Sequence, residues 1–135
     1  FVFAMGVPRP VESRLAPGGV GAMRTSVWEK DVVFDERVTD WVPERRLAYR
    51  FEIDPRRVPA RAFDEHVRLG GRYYALRDGS YTLQPRRDGG TDLTLTTTIV
   101  DLSRTGSYGR AWGRFVFGDF HGVLLDLLRN RAERP

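Results

Sequence analysis

Apolar and polar residues alternate along much of this chain at the period-two spacing of β-strands. The clearest case is the threonine-rich segment 91–102, where Leu93, Leu95 and Ile99 share one face and threonines occupy the other. Such alternation indicates a strand whose two faces meet different surroundings. The same pattern predicts further strands over residues 20–28, 32–41, 47–53, 67–77 and 80–85.

Glycine, proline and Asx residues separate these segments. Residues 8–19 carry three prolines and two glycines, so we predict an irregular entry there. Turns are predicted at Lys30-Asp31, at residues 43–45 and at residues 88–90. Asp78-Gly79 favours the positive backbone angles of a tight hairpin, which would separate segments 67–77 and 80–85. Residues 54–65 are predicted to form a mobile flap over a cavity mouth, since they lack apolar periodicity.

The last quarter of the chain changes to helical periodicity. Residues 108–133 predict one helix of about 26 residues and about 39 Å. Its apolar stripe is expected to face the sheet and comprises Trp112, Val116, Phe120, Val123, Leu124 and Leu127. Strands followed by one long helix predict an α+β fold, a single domain over residues 1–135. In it, a curved antiparallel sheet of about six strands wraps around the helix and leaves a cavity.

Composition narrows the classes of function. The chain has no cysteine, which excludes disulfides and thiolate metal sites and fits a cytoplasmic location. No stretch approaches the roughly 20 apolar residues of a membrane span. The net charge is +4, carried mainly by arginines that are interleaved with acids. This dispersed charge argues against a nucleic-acid partner, which requires a concentrated basic face.

Glu36 is the strongest candidate for chemistry. It alternates with Phe34 and Val38, so we expect it to point into the apolar interior, where a carboxylate needs a partner. Arg24 on the neighbouring strand is the expected partner. The pair then serves as a general base or an anchor for a polar ligand group. Two alternatives remain open: a purely structural ion pair, or a register in which Glu36 faces water.

Aromatic side chains supply the remaining candidate site residues. Tyrosine hydroxyls inside a cavity can orient a ligand, and Tyr49 and Tyr81 are placed best for this. The predicted ligand-binding set is Tyr49, Tyr81, Phe34, Trp112, Val116 and Phe120. His66 and His121 have no metal-binding spacing, so no metal or cofactor is predicted. His121 lies opposite Trp112 on the helix, which turns it outward or toward a sheet margin.

Several motifs resemble those of the START-like (SRPBCC) polyketide cyclase/dehydrase family of helix-grip folds. In chain order they are residues 19–24 (GVGAMR), 36–43 (ERVTDWVP), 46–49 (RLAY), 79–83 (GSYTL), 89–93 (GGTDL) and 128–133 (LRNRAE), with Tyr108 and Trp112. The resemblance implies a possible cyclase or dehydratase activity, with Glu36 as base and Arg24 or Tyr81 stabilising an enolate. It also implies that an opening strand and helices are missing before residue 19.

These observations lead to one preferred function and two alternatives. The preferred function is binding of a small hydrophobic molecule, such as a lipid, polyketide or aromatic metabolite, between sheet and helix. The alternatives are a non-catalytic regulatory or interaction domain of a longer protein, and a core filled by its own aromatics. The missing strand would leave the edge of segment 91–100 open, so we expect either a homodimer through that edge or its covering by residues 1–7.

Overall fold

The protein has an α+β fold in which one open antiparallel sheet is followed by one C-terminal helix. A computed structural model describes residues 3–4, 6–59, 61–62 and 73–134. Six strands pair in chain order: β1 (Pro10–Leu15), β2 (Met23–Trp28), β3 (Val32–Val42), β4 (Arg46–Glu52), β5 (Tyr74–Pro85) and β6 (Thr91–Asp101). Helix α1 (Ser107–Ala132) follows, within one residue of the predicted bounds. The α+β fold class is therefore confirmed.

The predicted turns between neighbouring strands are confirmed by the backbone. Lys30 and Asp31, between β2 and β3, have φ angles of 60° and 62°. Glu44 and Gly89 have φ angles of 57° and 85° in the next two predicted turns. Asx residues and glycine tolerate this left-handed region best, and such turns match the twist of the strands they join.

The start of the chain differs from the prediction. Residues 10–15 form strand β1 instead of an irregular segment, and β2 begins at Met23 instead of residue 20. Pro10 is tolerated because it is the first residue of an edge strand, where no ladder hydrogen bond is lost. Gly18, Gly19 and Gly21 have positive φ angles, so they form the turn between β1 and β2.

The predicted hairpin at Asp78-Gly79 is wrong. Both residues lie within strand β5, where Asp78 pairs with Arg50 and Gly79 pairs with Tyr49. The pairing of β5 with β6 shifts by one residue between Leu76 and Asp78, which marks a β-bulge. The extra residue of the bulge is Arg77, directly before Asp-Gly, and the strand continues through both residues. Leu76 and Tyr81 are an odd number of residues apart, so a regular strand would place them on opposite faces. The bulge places them on the same face.

The connection between β4 and β5 is described only in part. Residues 63–72, which include much of the predicted strand 67–77 and the end of the predicted flap, lie outside the described residues. Within the flap, Asp54 caps a short 3₁₀-helix, Pro55–Arg57, and Arg57 donates to Asp35 on β3 at 2.7 Å. Ala62 is fully buried against Val32 and Phe34. These contacts fasten the described part of the connection to the sheet.

Helix α1 lies across one face of the sheet. The hydroxyl of Tyr74 on β5 donates to the carbonyl oxygen of Gly109 at 2.8 Å, close to the start of the helix. Further along, Phe120 stacks on Trp28 of β2 with ring centroids 5.4 Å apart. No helix in the described part of the chain combines the length and apolar character that a membrane span requires.

Candidate functional site

A cavity of about 180 Å³ lies between the sheet and helix α1. Its sheet wall includes residues from all six strands, because the inward-facing positions of each strand line it. Its helix wall consists of Val116, Phe117, Phe120, His121, Leu124, Leu127, Leu128 and Arg131. We call this space the main cavity. Most of its lining is apolar, and the polar side chains are concentrated on β1 to β3.

Glu36 and Arg24 are paired inside this cavity, as predicted. They are direct cross-strand partners on β3 and β2, and one guanidinium nitrogen of Arg24 donates to Oε2 of Glu36. The Glu36 side chain is only 3% exposed and that of Arg24 15%. Ser26 donates to Oε1 of Glu36 at 3.3 Å, and Nε of Arg24 donates to the Ser13 hydroxyl at 2.7 Å. The ion pair is thus held by hydrogen bonds with Ser13 on the flanking strand β1 and with Ser26 on β2.

Burial sets the electrostatics of this pair. Loss of water raises the pKa of the Glu36 carboxyl, although Arg24 and Ser26 act in the opposite direction. Burial is also the largest single effect on Arg24 and opposes its charge, but Glu36, Tyr81 and Tyr49 together outweigh it and raise the pKa of the guanidinium. Glu36 therefore accepts a proton more readily than an ordinary glutamate does. A buried carboxylate of this kind can exchange a proton with a bound molecule.

Two tyrosines complete the polar surroundings of Arg24. Its guanidinium lies 5.1 Å from the ring centroid of Tyr49 and 5.6 Å from that of Tyr81, within the range of cation–π attraction. The two rings lie 6.0 Å apart. Burial raises the pKa of the Tyr49 hydroxyl, so it remains protonated and can donate a hydrogen bond. We call Ser13, Arg24, Ser26, Glu36, Tyr49 and Tyr81 the polar cluster.

Gly79 makes room for one of these tyrosines. It pairs with Tyr49 across β4 and β5, and the Tyr49 ring covers the place where a side chain would be. A Cβ atom added at Gly79 would lie 2.5 Å from Cζ of Tyr49, which is closer than van der Waals contact permits. The bulge in β5 and the absence of a side chain at Gly79 together allow Tyr49 to lean into the cavity.

Stacked aromatic rings form the apolar end of the main cavity. Trp28 stacks on Phe34 at 5.7 Å and on Phe120 at 5.4 Å, so one indole joins two strands to the helix. Phe3 contacts the edge of Phe120 at 6.5 Å. The described part of the N-terminal segment therefore reaches the helix at Phe120. Packing of this kind is worth about 0.5–1.5 kcal/mol for each ring pair beyond the area buried.

A second polar pair lines the opposite wall. Nε2 of His121 on α1 lies 2.9 Å from the Thr97 hydroxyl on β6, the strand at the margin of the sheet. This agrees with the predicted orientation of His121 toward a sheet margin. The ring is half-buried, and burial lowers its pKa, so the imidazole is neutral at neutral pH. It supplies one hydrogen-bonding nitrogen without adding charge.

The structure brings most of the predicted ligand-binding residues together. Phe34, Tyr49, Tyr81, Val116 and Phe120 all line the main cavity. Trp112 does not: it is 40% exposed and borders a second cavity of about 200 Å³ near the start of the helix. The cavity-facing stripe keeps Val116, Phe120, Leu124 and Leu127 of the predicted one, loses Trp112 and Val123, and gains Phe117 and His121. Short-range spacing could not reveal this, because aromatic residues occupy both sides of the first helical turns.

Sequence reasoning missed several members of the site. Ser13 was assigned to an irregular segment, and Ser26 stands beside Arg24 without a motif of its own. Both could have been found by noting that a buried ion pair requires further hydrogen bonds to satisfy its remaining donors and acceptors. Among the described residues, no group of three or more potential metal ligands comes together.

Comparison with protein-family models, with curated proteins and with solved structures finds no match to this chain.

Proposed function

We propose that this protein binds a small hydrophobic molecule in the main cavity and holds one polar group of that molecule at the polar cluster. The observation that carries the proposal is a largely apolar cavity with one buried ion pair on its wall. An apolar cavity of about 150 Å³ can hold benzene, and the main cavity is about 180 Å³. The resemblance to the helix-grip START-like family, whose sheet wraps around the helix, supports the same function.

The polar cluster favours a neutral head group on the ligand. Arg24 is already neutralised by Glu36, so a second carboxylate would meet an acidic neighbour. A hydroxyl, an enol or a protonated acid can accept from Arg24 or a tyrosine and donate to Glu36. The proposed ligand is therefore an apolar molecule with one group that both donates and accepts a hydrogen bond.

The test combines identification of the ligand with a matched pair of variants. Native mass spectrometry of the freshly purified protein is expected to show a co-purified molecule. Glu36→Gln preserves shape but removes the charged acceptor, so affinity for a long-chain alcohol should fall about tenfold, as for a hydrogen bond to a charged group. Glu52→Gln makes the same change in the exposed ion pair with Arg37 and should leave affinity unchanged.

The result that contradicts this proposal is equally defined. If no alcohol, fatty acid or co-purified molecule binds at the main cavity, the proposal is wrong. The two alternatives then remain: a non-catalytic regulatory or interaction domain, and a core filled by its own aromatics.

A second candidate function is cyclase- or dehydratase-like proton transfer. The observation that favours it is the raised pKa of Glu36 beside the hydroxyls of two tyrosines, since one group can move a proton while another stabilises an enolate. This activity predicts that Glu36→Gln loses turnover of a reactive polyketide-like chain by more than it loses affinity. Equal losses of turnover and affinity, or no turnover by the unchanged protein, would remove it.

A further inference from the structure

The main cavity and the second cavity are neighbours that share a wall. Tyr74, Val116 and Phe117 line both of them. Tyr74 and Phe117 meet edge to face with ring centroids 6.4 Å apart. We call these two rings the partition. Beyond it, the second cavity of about 200 Å³ adds a space similar in size to the main cavity.

The ring of Tyr74 is fixed in this position by the helix. Its hydroxyl donates to the carbonyl oxygen of Gly109 at 2.8 Å. Gly113 lies against the ring, and a Cβ atom there would be 3.2 Å from Cε1 of Tyr74. The absence of a side chain at Gly113 therefore lets the ring lie close to the helix backbone. A hydrogen bond on one side and close packing on the other hold the partition closed.

The main cavity is long and narrow. Its helix wall extends from Val116 to Arg131, which is about 22 Å at the rise of an α-helix. Along β5, Tyr81 of the polar cluster and Tyr74 of the partition are seven residues apart, or about 23 Å in an extended strand. A space that extends this far along the helix suits a flexible chain. A ligand with its head at Arg24 directs its tail toward Tyr74.

We propose that the ligand is a straight-chain aliphatic molecule and that the partition of Tyr74 and Phe117 sets the longest chain the protein accepts. This inference rests on the proposed function, since it assumes that the head group lies at the polar cluster. It adds a substrate class and a residue that determines specificity. The second cavity is then an extension that becomes accessible to the chain when the partition is removed.

The experiment measures affinity against chain length. Straight-chain primary alcohols of four to sixteen carbons displace the neutral dye N-phenyl-1-naphthylamine from the purified protein. Each methylene that enters the cavity should raise affinity about fourfold, the equivalent of about 0.8 kcal/mol. The gain should stop at the length that reaches Tyr74. In Tyr74→Ala the gain should continue for several further carbons, because the tail enters the second cavity.

Tyr108→Ala is the matched control. Tyr108 borders the second cavity but not the main one, and it is 74% exposed. Its loss should therefore leave unchanged the chain length at which affinity stops rising. Phe117→Ala removes the other ring of the partition and serves if Tyr74→Ala does not fold. The inference would be overturned if affinity in the unchanged protein rose with chain length without a limit. It would also be overturned if both partition variants had the same limiting chain length as the unchanged protein. If no alcohol displaces the dye and none binds directly, the proposed function fails instead.

Discussion

At the scale of single residues, the site depends on how charge is kept in an apolar interior. Arg24 and Glu36 neutralise each other, and Ser13 and Ser26 satisfy part of their remaining hydrogen-bonding capacity. Removing one charge leaves the other without compensation, which costs much more than the pair itself contributes. The two residues therefore respond to mutation and to pH as a unit.

We expect Arg24→Leu to destabilise the protein by about 3 kcal/mol at pH 7. The loss should be smaller at pH 5. Glu36 has a raised folded-state pKa, so without Arg24 its burial becomes unfavourable as pH rises above the ordinary value of 4.5 and favourable again when it is protonated. Urea unfolding at the two pH values measures the difference. An equal loss at both would show that Glu36 does not become an isolated buried carboxylate.

His121 gives an independent dependence on pH. Its folded-state pKa lies below the ordinary value of 6.5, so the unfolded chain binds the proton more readily. The stability it contributes is complete above pH 6.5 and is lost as pH falls through the lowered pKa. His121→Gln should therefore lose less stability than the unchanged protein between pH 7 and pH 5. Because the ring is half-exposed, the difference should stay below about 1 kcal/mol. The free energy of unfolding is measured by urea titration at pH 7 and pH 5. An equal loss of stability in His121→Gln and in the unchanged protein would contradict this prediction.

At the scale of secondary-structure elements, β5 and α1 decide the shape of the site. The bulge between Leu76 and Asp78 reverses which side chains of β5 face inward, so Tyr74 and Leu76 on one side of it and Tyr81 on the other all reach the main cavity. Helix α1 covers that face with Phe117 and Phe120. A strand without the bulge would turn either Tyr74 or Tyr81 away from the cavity.

We expect Phe120→Ala to cost about 2 kcal/mol of stability. Full burial of a phenylalanine would predict roughly 3–5 kcal/mol, but Phe120 borders a cavity and is only partly buried. Its loss removes the stack on Trp28 and the contact with Phe3. Thermal or urea unfolding measures the cost. As a control, Tyr108→Ala on the exposed face should change the free energy of unfolding by no more than about 0.5 kcal/mol. A cost for Phe120→Ala as small as the control would show that the helix does not pack through this residue.

At the scale of the whole molecule, the open sheet has two edges that differ in protection. β1 and β6 lie at the ends of the strand order. β1 begins with Pro10 and carries exposed Glu12 and Arg14, features that discourage pairing with another chain. The middle of β6 is threonine-rich and uncharged, and its acids Asp92 and Asp101 lie near its ends. β6 is therefore the edge through which self-association is expected.

We predict concentration-dependent dimers that form through β6. Thr96→Lys places a positive charge in the middle of this exposed edge and should shift the protein toward monomer. Leu15→Lys adds the same charge at the end of β1 and should not. Light scattering over a range of concentrations measures both. A protein that is monomeric throughout, or dimers that persist in Thr96→Lys, would exclude this interface.

Local periodicity in the sequence determined most of the secondary-structure elements of this protein. Alternation along β3, β4 and β6 and the helical spacing of α1 fix which residues form elements, because each pattern reflects one face of an element in contact with apolar surroundings. It was enough to predict Glu36 inside beside Arg24 from period-two alternation on adjacent strands, whereas the strand register settled that Glu36 does not face water. The turns at Lys30-Asp31 and Gly89 likewise depend only on which residues tolerate a positive φ angle.

Only the tertiary structure decided the rest. Asp78-Gly79 suits a hairpin, but pairing with strands on both sides keeps it within β5, directly after the bulged residue Arg77. Trp112 and Phe117 are equally apolar, but the docking angle of the helix placed one outside and the other against Tyr74. The cavity, its partition and the surroundings of Arg24 are made by side chains distant in sequence. Their contacts depend on strand pairing and helix packing, which no local window of the chain contains.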